Sequence, residues 1–132
     1  MDSRKYIVLL SLICFLISLS QPAFFKSPDF REYTDGLTVF AFGWVGILNW
    51  KVISISWFAN PLLIISWFNF KKLDISFRYS ILSLLFSLFF VIYDAFTKDI
   101  QYQNYNEGFY FWMLSILIMF CGNLYFIKRR KH

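Results

Sequence analysis

Few side chains in this sequence are of the types that carry out catalysis. The single histidine is His132, the last residue. The sequence has no Ser/His/Asp set, no His-rich metal spacing and no glycine-rich phosphate loop. Five of the acids lie in polar stretches and are typical of solvated loops: Asp29, Glu32, Asp35, Asp99 and Glu107. We therefore predict that the chain is not an enzyme and holds neither a metal nor a cofactor.

Two charged residues, Lys51 and Asp94, lie beside long apolar runs. A charge close to hydrocarbon is costly unless it is paired or reaches the lipid head groups. Three arrangements follow from this: an ion pair between the two, side chains that extend to the head groups, or a shared ion or substrate site. We keep all three open.

The dipeptide Asn60-Pro61 interrupts the most apolar part of the middle of the chain. Pro61 has no amide hydrogen, so it leaves the carbonyl of Trp57 without its helical partner. In lipid that carbonyl must be covered, and Asn60 is the local candidate. We predict a kinked or broken helix, which serves either a binding site, as in transporters, or helix packing.

The composition indicates the kind of domain in which these residues lie. Of the 132 residues 58% are hydrophobic and only 16% are charged, with a mean hydropathy of +0.54. Soluble domains carry about 25% charged residues, and here the deficit is concentrated in long uncharged runs. The sequence therefore predicts a single integral membrane domain over residues 1–132, surrounded by a lipid bilayer.

Four runs are long enough to cross a bilayer, and one is too short. The predicted spans are about 6–25, 52–70, 79–96 and 108–127, with a short helix at 37–48 that is either interfacial or re-entrant. A cleaved secretory signal is the alternative for the first run. Asp35 or Thr34 is placed to cap the short helix. The fold class is thus all-α, a transmembrane bundle of four helices plus one short helix.

The basic residues indicate how the bundle is oriented. Nine of the 13 Lys and Arg residues flank the spans on one side and three lie on the other, with Lys51 apart. This asymmetry is the positive-inside pattern, so the net charge of +5 marks topology and not nucleic-acid binding. We predict a bacterial cytoplasmic (inner) membrane protein with both termini in the cytoplasm.

Two side-chain patterns refine this bundle. Ser80, Ser83 and Ser87 recur at spacings of three and four, which puts them on one face of the third span, where another helix packs closely. Three tryptophans form a predicted aromatic belt at the outer interface: Trp44, Trp50 and Trp57.

Four short motifs carry a resemblance to a known family. They are Gln21-Pro22-Ala23-Phe24, Gly43-Trp44-Val45-Gly46, Trp57-Phe58-Ala59-Asn60-Pro61-Leu62 and Gly108-Phe109-Tyr110-Phe111-Trp112. Together they resemble a family of small uncharacterised bacterial membrane proteins with four predicted spans. The resemblance implies the span count and the location, and it implies no activity, ligand or catalytic residue.

These features favour a non-enzymatic accessory or interaction protein that works through helix contacts with a membrane-protein partner or with copies of itself. One alternative is an immunity protein that blocks a pore-forming toxin within the membrane, by analogy of architecture. Another is a small transporter or channel subunit, motivated by the broken helix at Asn60-Pro61 and by Lys51.

Overall fold

The computed structural model describes residues 3–25, 33–97 and 107–132. Most of the two polar stretches expected as loops, 26–36 and 98–107, lies outside these residues. The described elements are α1 (Arg4–Ser20), β1 (Pro22–Phe25), β2 (Tyr33–Asp35), α2 (Gly36–Phe42), α3 (Val45–Leu48), a 3₁₀ helix (Val52–Phe58), α4 (Ala59–Phe68), α5 (Leu73–Thr97) and α6 (Glu107–Arg130). The protein is mainly helical, as predicted.

Helix α1 runs antiparallel to α6 along its whole length. Ser11 Oγ donates to the carbonyl of Ser115 over 2.8 Å. Towards the other end of α6, Gly122 lies so close to Ile7 that a Cβ at Gly122 would meet that side chain at 2.5 Å. Helix α5 packs against both α6 and α4, so the four segments form one bundle.

Two contacts bring the start of α1, the turn before α5 and the end of α6 to one end of this bundle. Arg4 Nη1 donates to the carbonyl of Lys71 over 3.3 Å. Arg130 forms a bidentate pair with Asp74, at 2.7 and 3.1 Å. We call this the basic end, because most of the basic residues of the chain cluster in these three segments: Arg4, Lys5, Lys71, Lys72, Arg78 and Lys128, Arg129, Arg130 and Lys131.

The first predicted span, 6–25, is shorter than expected. Helix α1 ends at Ser20, and Gln21 is extended, with φ −108° and ψ 153°. A residue before proline is pushed out of the helical region, so Pro22 explains this end. Residues Pro22–Phe25 instead form a strand that pairs antiparallel with Tyr33–Asp35.

The predicted helix at 37–48 is in fact two helices, α2 and α3. The indole Nε1 of Trp44 donates to the carbonyl of Ala41 over 2.8 Å. In a continuous helix that carbonyl would accept from Val45, so the side chain replaces the backbone bond at the break. The predicted cap is confirmed: Asp35 Oδ1 accepts from the Thr38 amide over 2.7 Å. Hydrogen bonds from Thr38 lower the pKa of Asp35.

The second predicted span, 52–70, changes helix type in its middle. A 3₁₀ helix ends at Phe58 and α4 begins at Ala59, two residues before the predicted break at Asn60-Pro61. Pro61 is the third residue of α4, where a missing amide hydrogen costs little because first-turn amides have no intrahelical partner. The prediction that Asn60 covers the Trp57 carbonyl is wrong, since the side chain of Asn60 binds α6.

Of the described helices, α5 and α6 are long and apolar enough to cross a membrane. Each offers 24 residues, Leu73–Phe96 and Glu107–Arg130, with mean hydropathies of 2.0 and 1.7. Only 22% of each apolar stretch is buried inside the protein, whereas the core helix of a soluble protein is mostly buried. Two of the four predicted spans therefore meet the length of a crossing, and α1 and α4 are shorter.

The interior of the bundle contains many small polar side chains beside its apolar core. Large apolar side chains are exposed around the bundle, while eleven polar side chains of the described residues are buried: Ser11, Ser18, Ser56, Asn60, Ser66, Ser76, Ser80, Ser83, Ser87, Ser115 and Asn123. The predicted packing face of α5 is confirmed by the burial of its three serines. Ser83 Oγ donates to the carbonyl of Ala59 over 2.7 Å, so this face packs on the start of α4. Small hydroxyls let helices approach closely and satisfy each other's polar groups.

Candidate functional site

A partly open cavity of about 380 Å³ lies at the end of the bundle opposite the basic end. Its walls come from the last turn of α1, β1, α2, α3, the 3₁₀ helix and the first turns of α6. Most of this surface is apolar or aromatic, with contributions from Phe15, Phe40, Phe90 and Phe109. A concave apolar surface of this size with a few polar groups is typical of a small-molecule site.

The carboxamide of Asn60 is a buried polar group in the cavity wall. Asn60 is 5% exposed, and its Oδ1 accepts from Trp112 Nε1 over 2.8 Å. An indole nitrogen only donates, so this bond fixes which way the amide points. The NH₂ group of Asn60 is therefore the donor left to the cavity.

Lys51 supplies the charge. Within the part of the chain that the structure describes, it is the only charged residue in the cavity wall, and its side chain is exposed. The turn after α3 positions it: the Lys51 amide donates to the Gly46 carbonyl over 3.0 Å and the Trp50 amide to Ile47 over 3.1 Å. This pair of bonds is a Schellman motif.

Trp50 occupies the left-handed position of that motif, with φ 59°. Glycine usually stands there, because a side chain in this conformation costs about 1–2 kcal/mol. Such backbone strain persists only where the surrounding structure imposes it, and it clusters at ligand-binding sites. In this protein the left-handed conformation of Trp50 forms the turn that brings Lys51 to the cavity.

Two buried hydroxyls also line the cavity, and the remaining polar side chains of its wall are less buried: Thr38, Asn49 and Ser54. Ser18 Oγ donates to the carbonyl of Phe15 and Ser56 Oγ to that of Ile53, each over 2.6 Å. Both protons are used within their own helices, so the two oxygens can only accept from a ligand. The cavity thus combines an ammonium, an amide donor and two acceptors.

Among the described residues, neither a carboxylate nor an imidazole lies in the cavity wall beside Lys51, so no pair of groups in that wall is placed to exchange a proton. No family model, curated protein or solved structure matches the chain. Across residues 3–25, 33–97 and 107–132, no cluster of three or more His, Cys, Asp or Glu could hold a metal.

A second hollow lies on the outer side of the same wall. This lateral groove is lined only by apolar and aromatic residues of α2, α3 and the 3₁₀ helix, among them Trp44, Leu48 and Phe58. Phe40 and Trp57 line both the groove and the cavity. Trp57 Nε1 donates to the carbonyl of Phe40 over 2.8 Å, which fixes this shared partition.

The structure brings two of the four predicted site residues together, since Lys51 and Asn60 line one cavity. Pro61 is half-buried in the first turn of α4, and Asp94 is half-buried near the end of α5. The Lys51–Asp94 ion pair stays a prediction. The sequence analysis named Trp112 only as the last residue of a family motif, although a buried asparagine does signal the need for a hydrogen-bond partner.

Proposed function

We propose that the chain is a multi-pass protein of a bacterial inner membrane, with four segments across the bilayer and both termini in the cytoplasm. The low burial of the long apolar helices α5 and α6 supports this, because lipid solvates such continuous apolar surface better than water does. The basic end supports the orientation through the positive-inside pattern. We also propose that the chain belongs with the small bacterial four-span membrane proteins that its motifs resemble.

The two shorter segments come close to the thickness of a hydrocarbon core. The 3₁₀ helix and α4 together contain 17 residues. At rises of about 2.0 and 1.5 Å per residue they extend roughly 29 Å, close to a hydrocarbon core of about 30 Å. The 17 residues of α1 extend roughly 26 Å. The strands and α2 then cover the outer end of this helix.

The proposed role is non-enzymatic binding. The chain acts as an accessory protein that holds a small molecule with an anionic group in the cavity, at the outer face of the membrane. The observation that carries this is the Asn60 carboxamide, buried, fixed by Trp112 and presenting its donor to the same space as Lys51. An anion satisfies both groups at once.

A transporter is the second candidate, since the cavity adjoins the change of helix type at Ala59. Below Asn60 the bundle is closed by Leu63, Ile116 and Met119, each at most 1% exposed. Passage of a ligand would need this core to open, so the described conformation favours a one-ended binding site. Interaction with a toxin, as an immunity protein, remains a separate prediction.

Thiol labelling from outside the cell tests the binding role. In a chain with Cys14 and Cys121 replaced by alanine, Ser56→Cys places a thiol in the cavity wall and Ser83→Cys places one in a helix interface. We expect impermeant methanethiosulfonates to modify Ser56→Cys and not Ser83→Cys. The anionic reagent should react faster than the cationic one, and Lys51→Gln should remove that preference.

Two outcomes of the labelling experiment would contradict the proposal. Equal protection of both thiols would show that no cavity opens to the outer face. Modification of Ser56→Cys with no preference for the anionic reagent would show that Lys51 does not make the cavity an anion site.

A further inference from the structure

We infer that the ligand is an anionic amphiphile with a single hydrocarbon chain, whose head group occupies the cavity and whose chain lies in the lateral groove. This inference rests on the proposed function. It adds the chemical class of the ligand and the route that the ligand takes across the partition formed by Phe40 and Trp57.

The head group is specified by the polar residues of the cavity. The ammonium of Lys51 and the NH₂ of Asn60 both favour a carboxylate or a phosphate. A quaternary ammonium head group would meet Lys51 with like charge. A neutral head group would accept a hydrogen bond from the lysine without balancing its charge, so the charge of Lys51 favours an anion.

The groove specifies the hydrocarbon part of the ligand. Among the residues that the structure describes, its lining contains no charged and no polar side chain other than the indoles of Trp44 and Trp57. Both indole N–H groups already donate to backbone carbonyls, those of Ala41 and Phe40. The groove therefore offers a ligand only hydrocarbon and ring surface, which suits an alkyl chain and no polar group.

The geometry joins the two parts. Phe40 and Trp57 line both the cavity and the groove, and the hydrogen bond from Trp57 to the Phe40 carbonyl holds this partition together. The proposed ligand places its anionic group at Lys51 and its hydrocarbon chain across the edge of this partition in the groove. A small hydrophilic anion would leave the groove unused, so the shared partition points to an amphiphile.

Tryptophan quenching tests the inference in nanodiscs of zwitterionic phosphatidylcholine. We use 12-bromododecanoate as the probe, because its bromine at the chain end quenches only tryptophans that the chain reaches. We expect saturable quenching of Trp44 and Trp57, competed by dodecanoate and by dodecyl phosphate but not by dodecyltrimethylammonium. The relative strength of the two anionic competitors distinguishes a carboxylate ligand from a phosphate ligand.

Two variants and one control separate the head-group and chain sites. Lys51→Gln should weaken competition by dodecanoate about tenfold, which corresponds to about 1.4 kcal/mol. Ala41→Phe fills the groove and should weaken it similarly while leaving hexanoate protection of the Ser56→Cys thiol unchanged. The matched control, Lys72→Gln at the basic end, should bind like the parent chain.

The results test the anion-binding cavity and the amphiphile ligand separately. If hexanoate protects Ser56→Cys while bromododecanoate quenches no more in the parent than in Ala41→Phe, the amphiphile inference is wrong and the anion cavity stands. If hexanoate gives no protection and the probe does not quench saturably, both claims fail.

Discussion

The hydrogen bond between Asn60 and Trp112 joins α4 to α6 and should be measurable as a coupling energy. Asn60→Leu keeps the volume of the side chain and removes the acceptor, which leaves the indole N–H without a partner in a half-buried position. An unsatisfied donor of this kind costs about 1–3 kcal/mol. Trp112→Phe removes the donor and orphans Oδ1 of Asn60 instead.

The double variant removes both partners, so it should cost less than the sum of the two single changes. Interhelical hydrogen bonds in membrane bundles couple by about 0.6 kcal/mol on average and by at most about 1.7 kcal/mol. The bond of 2.8 Å to an acceptor residue that is 5% exposed belongs in the upper half of that range. The assay is the free energy of unfolding in mixed micelles of dodecylmaltoside and sodium dodecyl sulfate.

The chain offers a matched control for this cycle. Asn69 also lies in the α4 segment, but its Nδ2 donates locally to the carbonyl of Ile65 over 2.9 Å. Asn69→Leu combined with Trp112→Phe should therefore be additive, because distant sites without shared partners do not couple. A coupling near zero for Asn60, or one equal to that of Asn69, would refute the bond as a tie between α4 and α6.

Three further predictions use the same unfolding measurement. Trp50→Gly should raise the free energy of unfolding by about 1 kcal/mol, because it relieves a φ of 59° and the lost side chain is 93% exposed; an unchanged value would mean that no strain is stored. Gly122→Val should lower it by about 1–3 kcal/mol by pushing Ile7 away, whereas Cys121→Val on the exposed side should not. Asn123→Ala should lower it by about 1 kcal/mol through the loss of two bonds to α5 serines, and a neutral result would mean that these bonds add nothing.

The features that the sequence predicted correctly depend on local chemistry. The Asp35 cap needs only a carboxylate three residues before an amide, and it forms as expected. The serine face of α5 follows from helical spacing alone. The change of helix type near Asn60-Pro61 follows from the missing amide of Pro61, although it lies two residues earlier.

The features that the sequence missed depend on partners far away along the chain. The strand at Pro22–Phe25 forms because it pairs with Tyr33–Asp35, and an apolar run in the sequence does not indicate such a partner. Likewise, Asn60 was assigned to the nearest carbonyl, whereas its partner Trp112 lies 52 residues away. Since α2 and α3 were expected as one short helix, the cavity that they cover could not be foreseen.

The central claim is that four antiparallel segments cross the bilayer, with the basic end in the cytoplasm and the cavity outside. Cysteine accessibility in intact cells tests it most directly, in a chain that lacks Cys14 and Cys121. We predict that an impermeant maleimide labels Asn49→Cys in intact cells but labels Lys71→Cys and Lys131→Cys only after lysis. Labelling of Lys71→Cys and Lys131→Cys from opposite sides of the membrane would contradict the account.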